Sequence, residues 1–422
     1  MEAAPKGVRL QVGIFGRANT GKSSLLNYAA GQDVAITSPV AGTTTDVVEK
    51  AMELLPLGPV LFLDTAGLDD ASVLGSRRRQ RTLAAFRRCD VVLLVLEAGV
   101  WTQYEEEVAA RCRQDGVPLV MVVNKTDAAW PSAGYMRELQ ERSRWVLSGS
   151  CRRPGEREAF MAAFKAALLQ AAPEHVLKIP PLVSDLLPAG GLALFVVPID
   201  MEAPKGRIIL PQVQAIRDAL DADAGVLVVK ENGLVRAWGD LRRAPDLVVC
   251  DSQAVGQVAA EVPAGVPCTT FSILFARAKG DLVEAARAAA RISGLRAGDR
   301  VLVAEACSHH ALADDIGRVK IPRWLKQATG VELCMTTCSG RDFPQDLAEY
   351  KLVIHCGACT LNRREMLSRL RQARLAGVPV TNYGVAIAAM QGVAARVLEP
   401  FPAARAAFLQ AQESGLVGRC GS

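Results

Sequence analysis

Residues 10–30 read LQVGIFGRANTGKSSLLNYAA, an apolar strand running into Gly16-x-x-x-x-Gly21-Lys22-Ser23 and then into a helical run. Few folds accept that order. The glycines permit a tight loop whose backbone N–H groups, with the N-terminus of the following helix, cradle phosphate. A strand–loop–helix unit of this kind belongs in a parallel α/β sheet, with the ligand at the carboxyl ends of the strands. Lys22 is expected to reach the β- and γ-phosphates and Ser23 to ligate Mg²⁺. Gly16, Asn19, Thr20, Gly21 and Ser24 complete the expected phosphate loop.

Two further segments specify the nucleotide. Asp64–Gly67 reads DTAG and Asn124–Asp127 reads NKTD. Asp64 ends an apolar run and is expected near the Mg²⁺, with the Gly67 N–H sensing the γ-phosphate. In NKTD, an Asp127 carboxylate can accept from both N1–H and N2–H₂ of guanine, a donor pair that adenine lacks. Asn124 accompanies it and Lys125 is expected to pack across the base, so GTP and GDP are the expected ligands. Between the loop and Asp64, Gly42–Asp46 reads GTTTD, where Thr44 is the expected switch threonine completing the Mg²⁺ shell. Ser148-Gly149 is read as the element that touches guanine O6. Lys22, Thr44 and Gly67 are the expected catalytic groups.

At 422 residues the chain is long enough for two or three cores. Half the residues are apolar and 22% charged, which excludes a disordered chain. The net charge of +5 is dispersed, and its densest runs, around Arg77–Arg81 and Arg87-Arg88, lack interleaved aromatics. They read as solvated helix faces and not as a nucleic-acid surface. No apolar run reaches the ~18–20 residues that span a bilayer, and the opening MEAAPKG has no apolar leader core. The expectation is a cytoplasmic protein binding neither membrane nor nucleic acid, in a compartment where its eleven cysteines stay reduced. Alternating strand and helix patterns place a GTP-binding domain at 1–172, with a proline-rich linker after Ala172. A block at 178–268 has strands but no chemically potent cluster and reads as an association domain. The α/β rhythm resumes over 270–405.

That last stretch holds the second chemical feature. Cys307-Ser308-His309 follows the apolar run Val301–Ala304, and His355-Cys356-Gly357-Ala358-Cys359 follows Leu352–Ile354. If the two runs are neighbours in a parallel sheet, both segments project from one carboxyl edge. The intervening crossover of about 45 residues is long enough for a helix–strand–helix path. Thiolates select zinc, copper(I) or iron–sulfur clusters. Cys307, Cys356 and Cys359 with His355 or His309 fit a structural zinc site and equally a 4Fe–4S cluster with one replaceable ligand. Cys334 and Cys338 fall in a stretch that reads as irregular.

The sequence Gly42–Asp46, the DTAGL at 64–68 and Asn19 in the phosphate loop together resemble the TrmE–Era branch of GTPases. That resemblance implies a K⁺ ion beside the phosphates, held with the help of Asn19. It also implies slow hydrolysis, because Leu68 stands where Ras-like enzymes place a water-orienting glutamine. A domain of this type followed by CxH…HCxxC resembles the maturation GTPases of FeFe hydrogenases. The likeness extends to Ala203–Arg207, Phe271–Arg277, Asp315–Pro322 and Leu361–Met366. It implies a homodimer or higher oligomer assembled through 178–268. It further implies a 4Fe–4S cluster on Cys307, Cys356 and Cys359, with His355 or His309 at the labile position. The implied role is a scaffold that receives a diiron subcluster from radical-SAM maturases and delivers it to apo FeFe-hydrogenase. Arg318, Lys320, Arg323, Arg363 and Arg364 follow the ligand segments, and one or more of them is expected to anchor that anionic cargo. The rival reading is a zinc-containing regulatory GTPase of RNA modification or ribosome assembly.

Overall fold

A computed structural model describes residues 6–30, 48–64, 84–177, 180–198, 208–306, 315–340, 342–344 and 346–420. Four expected site residues, Thr44, Gly67, Cys307 and His309, lie outside the described residues, as does Leu68. The chain forms two compact units, residues 1–179 and 180–422, and the division falls in the proline-rich linker.

The first unit is built on a sheet of order β2-β3-β1-β4-β5-β6. Its strands are β1 (Leu10–Phe15), β2 (Val48–Leu54), β3 (Gly58–Asp64), β4 (Val91–Glu97), β5 (Leu119–Asn124) and β6 (Trp145–Ser148). Strands β1, β4 and β5 are buried along nearly their whole length, as their uninterrupted apolar sequences require when helices cover both faces. One face packs Val12, Ile14, Leu25 and Phe164; the other packs Phe15, Leu94, Val108 and Met121. Among the described strands of this sheet only β2 runs antiparallel, on β3. Sequence patterning passes over it because VEKAMEL carries three charges in seven residues, which an edge strand tolerates. Helix Gln103–Asp115 starts with a capping box between Thr102 and Glu105 and stops at Gly116 in the left-handed conformation.

The second unit contains two four-stranded parallel sheets. In the first, β7 (Leu192–Val196), β8 (Gly225–Val229), β9 (Leu247–Cys250) and β10 (Cys268–Thr270) lie in the order β10-β9-β7-β8. The second has β11 (Arg300–Ala304), β12 (Cys334–Cys338), β13 (Leu352–His355) and β14 (Val380–Asn382) in the order β12-β11-β13-β14. Sequence patterning separates these sheets near 268–270, but in the structure one apolar core runs through both. Helix Tyr383–Met390 lies in it, and Tyr383–Ala388 are all buried. It has no charged residue, so every face can be apolar.

One local expectation is corrected here. Cys334 and Cys338 are the ends of an edge strand, β12, whose β-branched Thr336-Thr337 favour extension. The path from β11 to β13 contains helix Ile321–Thr329 and β12, but among the described residues 339–351 form no second helix.

Candidate functional site

The carboxyl ends of β1 and β5 deliver the phosphate loop and the NKTD segment to one cleft of about 730 Å³, and β3 ends at Asp64, beside Ser23. In the phosphate loop, Gly16 (φ +148°) and Gly21 (φ +92°) occupy backbone regions that side chains disfavour. Space forbids a side chain as well: a Cβ on Gly21 would sit 2.2 Å from Asn124 Nδ2. Asn124 uses that nitrogen to donate to the Thr20 carbonyl at 3.0 Å, tying the base-reading segment to the phosphate loop. The Lys22 ammonium donates to the carbonyls of Gly16 and Arg17, and the Ser23 hydroxyl donates to Asp64 Oδ2 at 3.3 Å. Ser23 and Asp64, both expected to attend Mg²⁺, are thus adjacent.

A carboxylate network braces this loop from behind. Arg17 Nε donates to the fully buried Glu105 at 2.8 Å. Burial would raise the Glu105 pKa, but hydrogen bonds from the Thr102 side chain and backbone, with the Arg17 guanidinium, hold it below the ordinary glutamate value. Lys125, at φ +60°, pairs with Glu97 at 2.6 Å, and Glu97 also lies 3.9 Å from Arg17.

The base-side loop differs from the sequence reading. Ser148 ends β6, opposite Val123, and does not line the cleft. Ladder pairing continues through Gly149 N–H to the Val123 carbonyl, which pushes the loop two residues on. Ser150 donates to Asp127 Oδ1 and, with Cys151 and Arg152, lines the cleft. The Ser150 bond lowers the Asp127 pKa, so the Asp127 carboxylate is ionised and oriented. Cys151 is an inert wall: desolvation, then the Asp127 charge, pushes its thiol up to about 11. Following β6 to its end would have located Ser150 from sequence.

At the carboxyl edge of the second sheet of the other unit, β11 and β13 are parallel neighbours, with Ala304 opposite His355. The HCxxC segment therefore starts beside the chain leading to Cys307. Cys356 N–H donates to the Ala304 carbonyl at 2.8 Å, the Ala306 N–H donates to Cys356 Sγ at 3.0 Å, and Thr360 Oγ1 donates to the Ala306 carbonyl at 3.2 Å. Ala306, Ala358, Leu361 and Met366 form a small apolar floor against which Cys356 packs. Asn362 caps helix Arg363–Leu375 directly after the loop. An amide aimed at a half-buried thiol is the setting that stabilises a metal-bound thiolate. Among the described residues no three His, Cys, Asp or Glu side chains gather as a metal site, and Cys307 lies outside them.

His355 is a correction. Strand alternation places it with Val353 on the face that packs Phe343, and its ring centroid is 6.2 Å from that of Phe343. Nδ1–H donates to the Cys356 carbonyl at 2.9 Å and Nε2 accepts from Arg369 at 3.1 Å. Desolvation, then the Arg369 charge, lowers its pKa to about 3. Both ring nitrogens of this neutral imidazole are engaged, so His355 is not offered as a ligand. Three of the five expected cargo cations are hydrogen-bonded elsewhere: Arg318 to Ser339, Lys320 to Gln253 and Arg363 to the Ala278 carbonyl. The cation that does meet the cysteine loop is Lys279, which the sequence analysis did not single out. Its ammonium donates to the carbonyls of Ala358, Cys359 and Leu361 at 2.9, 3.1 and 2.7 Å, and burial pulls its pKa down to about 8.

Comparison with known proteins decides the family. A family model described as the hydrogen maturase F dimerization domain matches residues 182–280, and one described as the hydrogen maturase F tetramerization domain matches 283–400. The chain belongs to the hydrogen maturase F (HydF) family. Residues 11–125 match a third model, 50S ribosome-binding GTPase, so this HydF-type chain carries a GTPase domain in its first unit. The tRNA modification GTPase MnmE of Synechococcus sp. (strain JA-3-3Ab) is 43% identical over 125 residues, covering 28% of this chain and 26% of that protein. MnmE of Burkholderia mallei (strain SAVP1) is 40% identical over 132 residues, covering 30% and 27%. The chain thus spans about a quarter of the length of the curated relatives it matches. Among solved structures, a variant of Aquifex aeolicus Era bound to GDP·AlF4⁻ matches with TM-score 0.33 and 26% identity over 39% of this chain and 56% of that one.

Proposed function

We propose that this HydF-type GTPase is an oligomeric scaffold in FeFe-hydrogenase maturation. In this reading residues 1–172 bind and hydrolyse GTP with Mg²⁺, 178–268 associate, and 270–405 bind the cluster. Cys307, Cys356 and Cys359 hold a 4Fe–4S cluster, with His309 or an exogenous group at the fourth position. Bound there, the cluster would supply a redox-active iron–sulfur platform with one exchangeable iron position. A diiron subcluster is the cargo, received from radical-SAM maturases and passed in the cytoplasm to apo FeFe-hydrogenase. The observation that carries the reading is the Ala306 N–H on Cys356 Sγ: the residue before Cys307 sits on the HCxxC loop.

The chain's own groups divide the work. Ser23 and Asp64 stand together for Mg²⁺, while Asn124 and Asp127 fix guanine. Hydrolysis is slow for want of a glutamine at Leu68, and K⁺ accelerates it through Asn19, whose left-handed backbone turns the loop at that point. GTP state gates partner exchange.

The test is anaerobic purification with iron, sulfide and zinc analysis and EPR of the reduced protein, beside Cys356→Ala. A 4Fe–4S signal lost in the variant supports the scaffold. Stoichiometric zinc with no cluster after reconstitution transfers the reading to a zinc-containing regulatory GTPase, and an Asn19→Ala variant with undiminished K⁺ stimulation removes the potassium site.

A further inference from the structure

We propose that Lys279 is the positioning residue and counter-cation of the cysteine loop: its ammonium holds residues 358–361 in ligating shape and offsets the negative charge that the cysteines carry once they bind the cluster as thiolates. The inference rests on the cluster reading above. It starts from an imbalance. Lys279 ends helix Phe271–Lys279 and is only 8% exposed. All three of its ammonium protons are used, and every acceptor is a backbone carbonyl: those of Ala358, Cys359 and Leu361. Among the described residues no carboxylate is its hydrogen-bond or ion-pair partner. The acid nearest in sequence, Asp281, is turned to its own helix N-terminus and lies 3.7 Å from Arg374.

A buried ammonium is costly unless an opposite charge is close. Three carbonyl dipoles satisfy its protons without cancelling its charge. The groups that can cancel it are the thiols of Cys356 and Cys359, which border the same small cleft or belong to the loop the ammonium holds. As neutral thiols they leave the charge uncompensated, whereas as thiolates on an anionic metal centre they complete the pair. The loop's shape supports this. Ala358 stands at φ +53°, an uncommon conformation for a residue with a Cβ, and its carbonyl is one of the three that Lys279 pulls inward. Removing the cation therefore releases a strained turn between the two cysteines. Ala306 N–H approaches Cys356 Sγ from the β11 side, so the thiol meets positive ends of dipoles or charge from two directions.

Reduction of a thiolate-bound cluster adds one negative charge, and a fixed neighbouring cation favours that state. The experiment is an EPR-monitored redox titration of the anaerobically reconstituted full chain, with iron and sulfide analysis, for wild type, Lys279→Met and Lys279→Arg. Lys279→Met is expected to shift the reduction equilibrium at least tenfold toward the oxidised state, about 59 mV for one electron. Lys279→Arg is expected to recover most of it. A Lys279→Met cluster with the wild-type potential overturns the proposal, because packing alone would not set that value. Should Lys279→Met hold no iron, iron retained by Lys279→Arg supports the charge, and equal loss in both overturns it. A wild-type chain that takes up no cluster overturns the cluster reading instead. Hydrogen exchange of amides 356–361 in the apo chain then decides the loop-holding half, which Lys279→Met must accelerate.

Discussion

Asp127→Asn is the sharpest test of the nucleotide site. The wild-type carboxylate is ionised and held by the Ser150 hydroxyl, so it meets guanine already oriented. It is expected to accept from N1–H and N2–H₂ through two charge-assisted bonds. Asparagine keeps one acceptor and sets an NH₂ against the base's own NH₂, losing one bond and making a repulsive contact. Asp127 lies in an open part of the cleft, where solvent competes for such bonds, and the expected loss is roughly 100-fold in GDP binding. Xanthine carries an acceptor at C2 where guanine carries NH₂, so the same substitution should strengthen XDP binding and invert the preference. The assay is competition of GDP and XDP against a fluorescent GDP analogue, with a thermal melt to show that the fold is kept. A variant that binds GDP within threefold of wild type and gains nothing for XDP would refute the assignment. Ser150→Ala should weaken both GDP and GTP about fivefold, the worth of about 1 kcal/mol for one tethering bond.

Three other outcomes follow from the geometry. Gly21→Ala puts a Cβ against Asn124 at φ +92° and should reduce GDP affinity more than ~100-fold by isothermal titration, with far-UV circular dichroism unchanged. Glu105→Gln should destabilise the first unit by about 1–3 kcal/mol at neutral pH. Since the folded pKa of Glu105 is depressed, its stabilisation is present above the unfolded value near 4.5 and fades as pH falls through the lower folded value. The melting difference between wild type and variant should therefore shrink below pH 4.5, and a difference constant with pH would contradict the ionised assignment. Arg369→Met strips the donor from His355 Nε2 and from the Gly340 carbonyl and removes the ion pair with Glu365. It should cost the second unit about 1–3 kcal/mol in urea unfolding, and an unchanged midpoint would show that His355 is held by packing alone.

The nucleotide site was legible because its chemistry is written locally. A phosphate loop needs its glycines, lysine and serine at fixed short spacing, and a base-reading NKxD needs four consecutive residues. Strands ending at Phe15, Asp64 and Asn124 carried those motifs to the same sheet edge. Even the approach of Ala306 to the HCxxC loop followed from each segment's trailing an apolar run, since parallel neighbours share a carboxyl edge. The misreading at Ser148 was a two-residue slip, within the uncertainty of where a strand ends.

Ligand class, family resemblance and the parallel α/β plan were all readable from the chain itself, because each is a property of short-range pattern. The tertiary structure decided what depends on residues far apart in the chain. It set Lys279 under a loop some eighty positions away, turned His355 toward Arg369 and not toward the thiols, and ran one core through two sheets that composition had separated. A lysine at the end of a helix has the same local signal whether it ends in water or under three carbonyls. Strand alternation assigns His355 a face only once the occupants of both faces are known. Packing makes those choices, because the energy of a buried charge or ring is fixed by neighbours that no local pattern names.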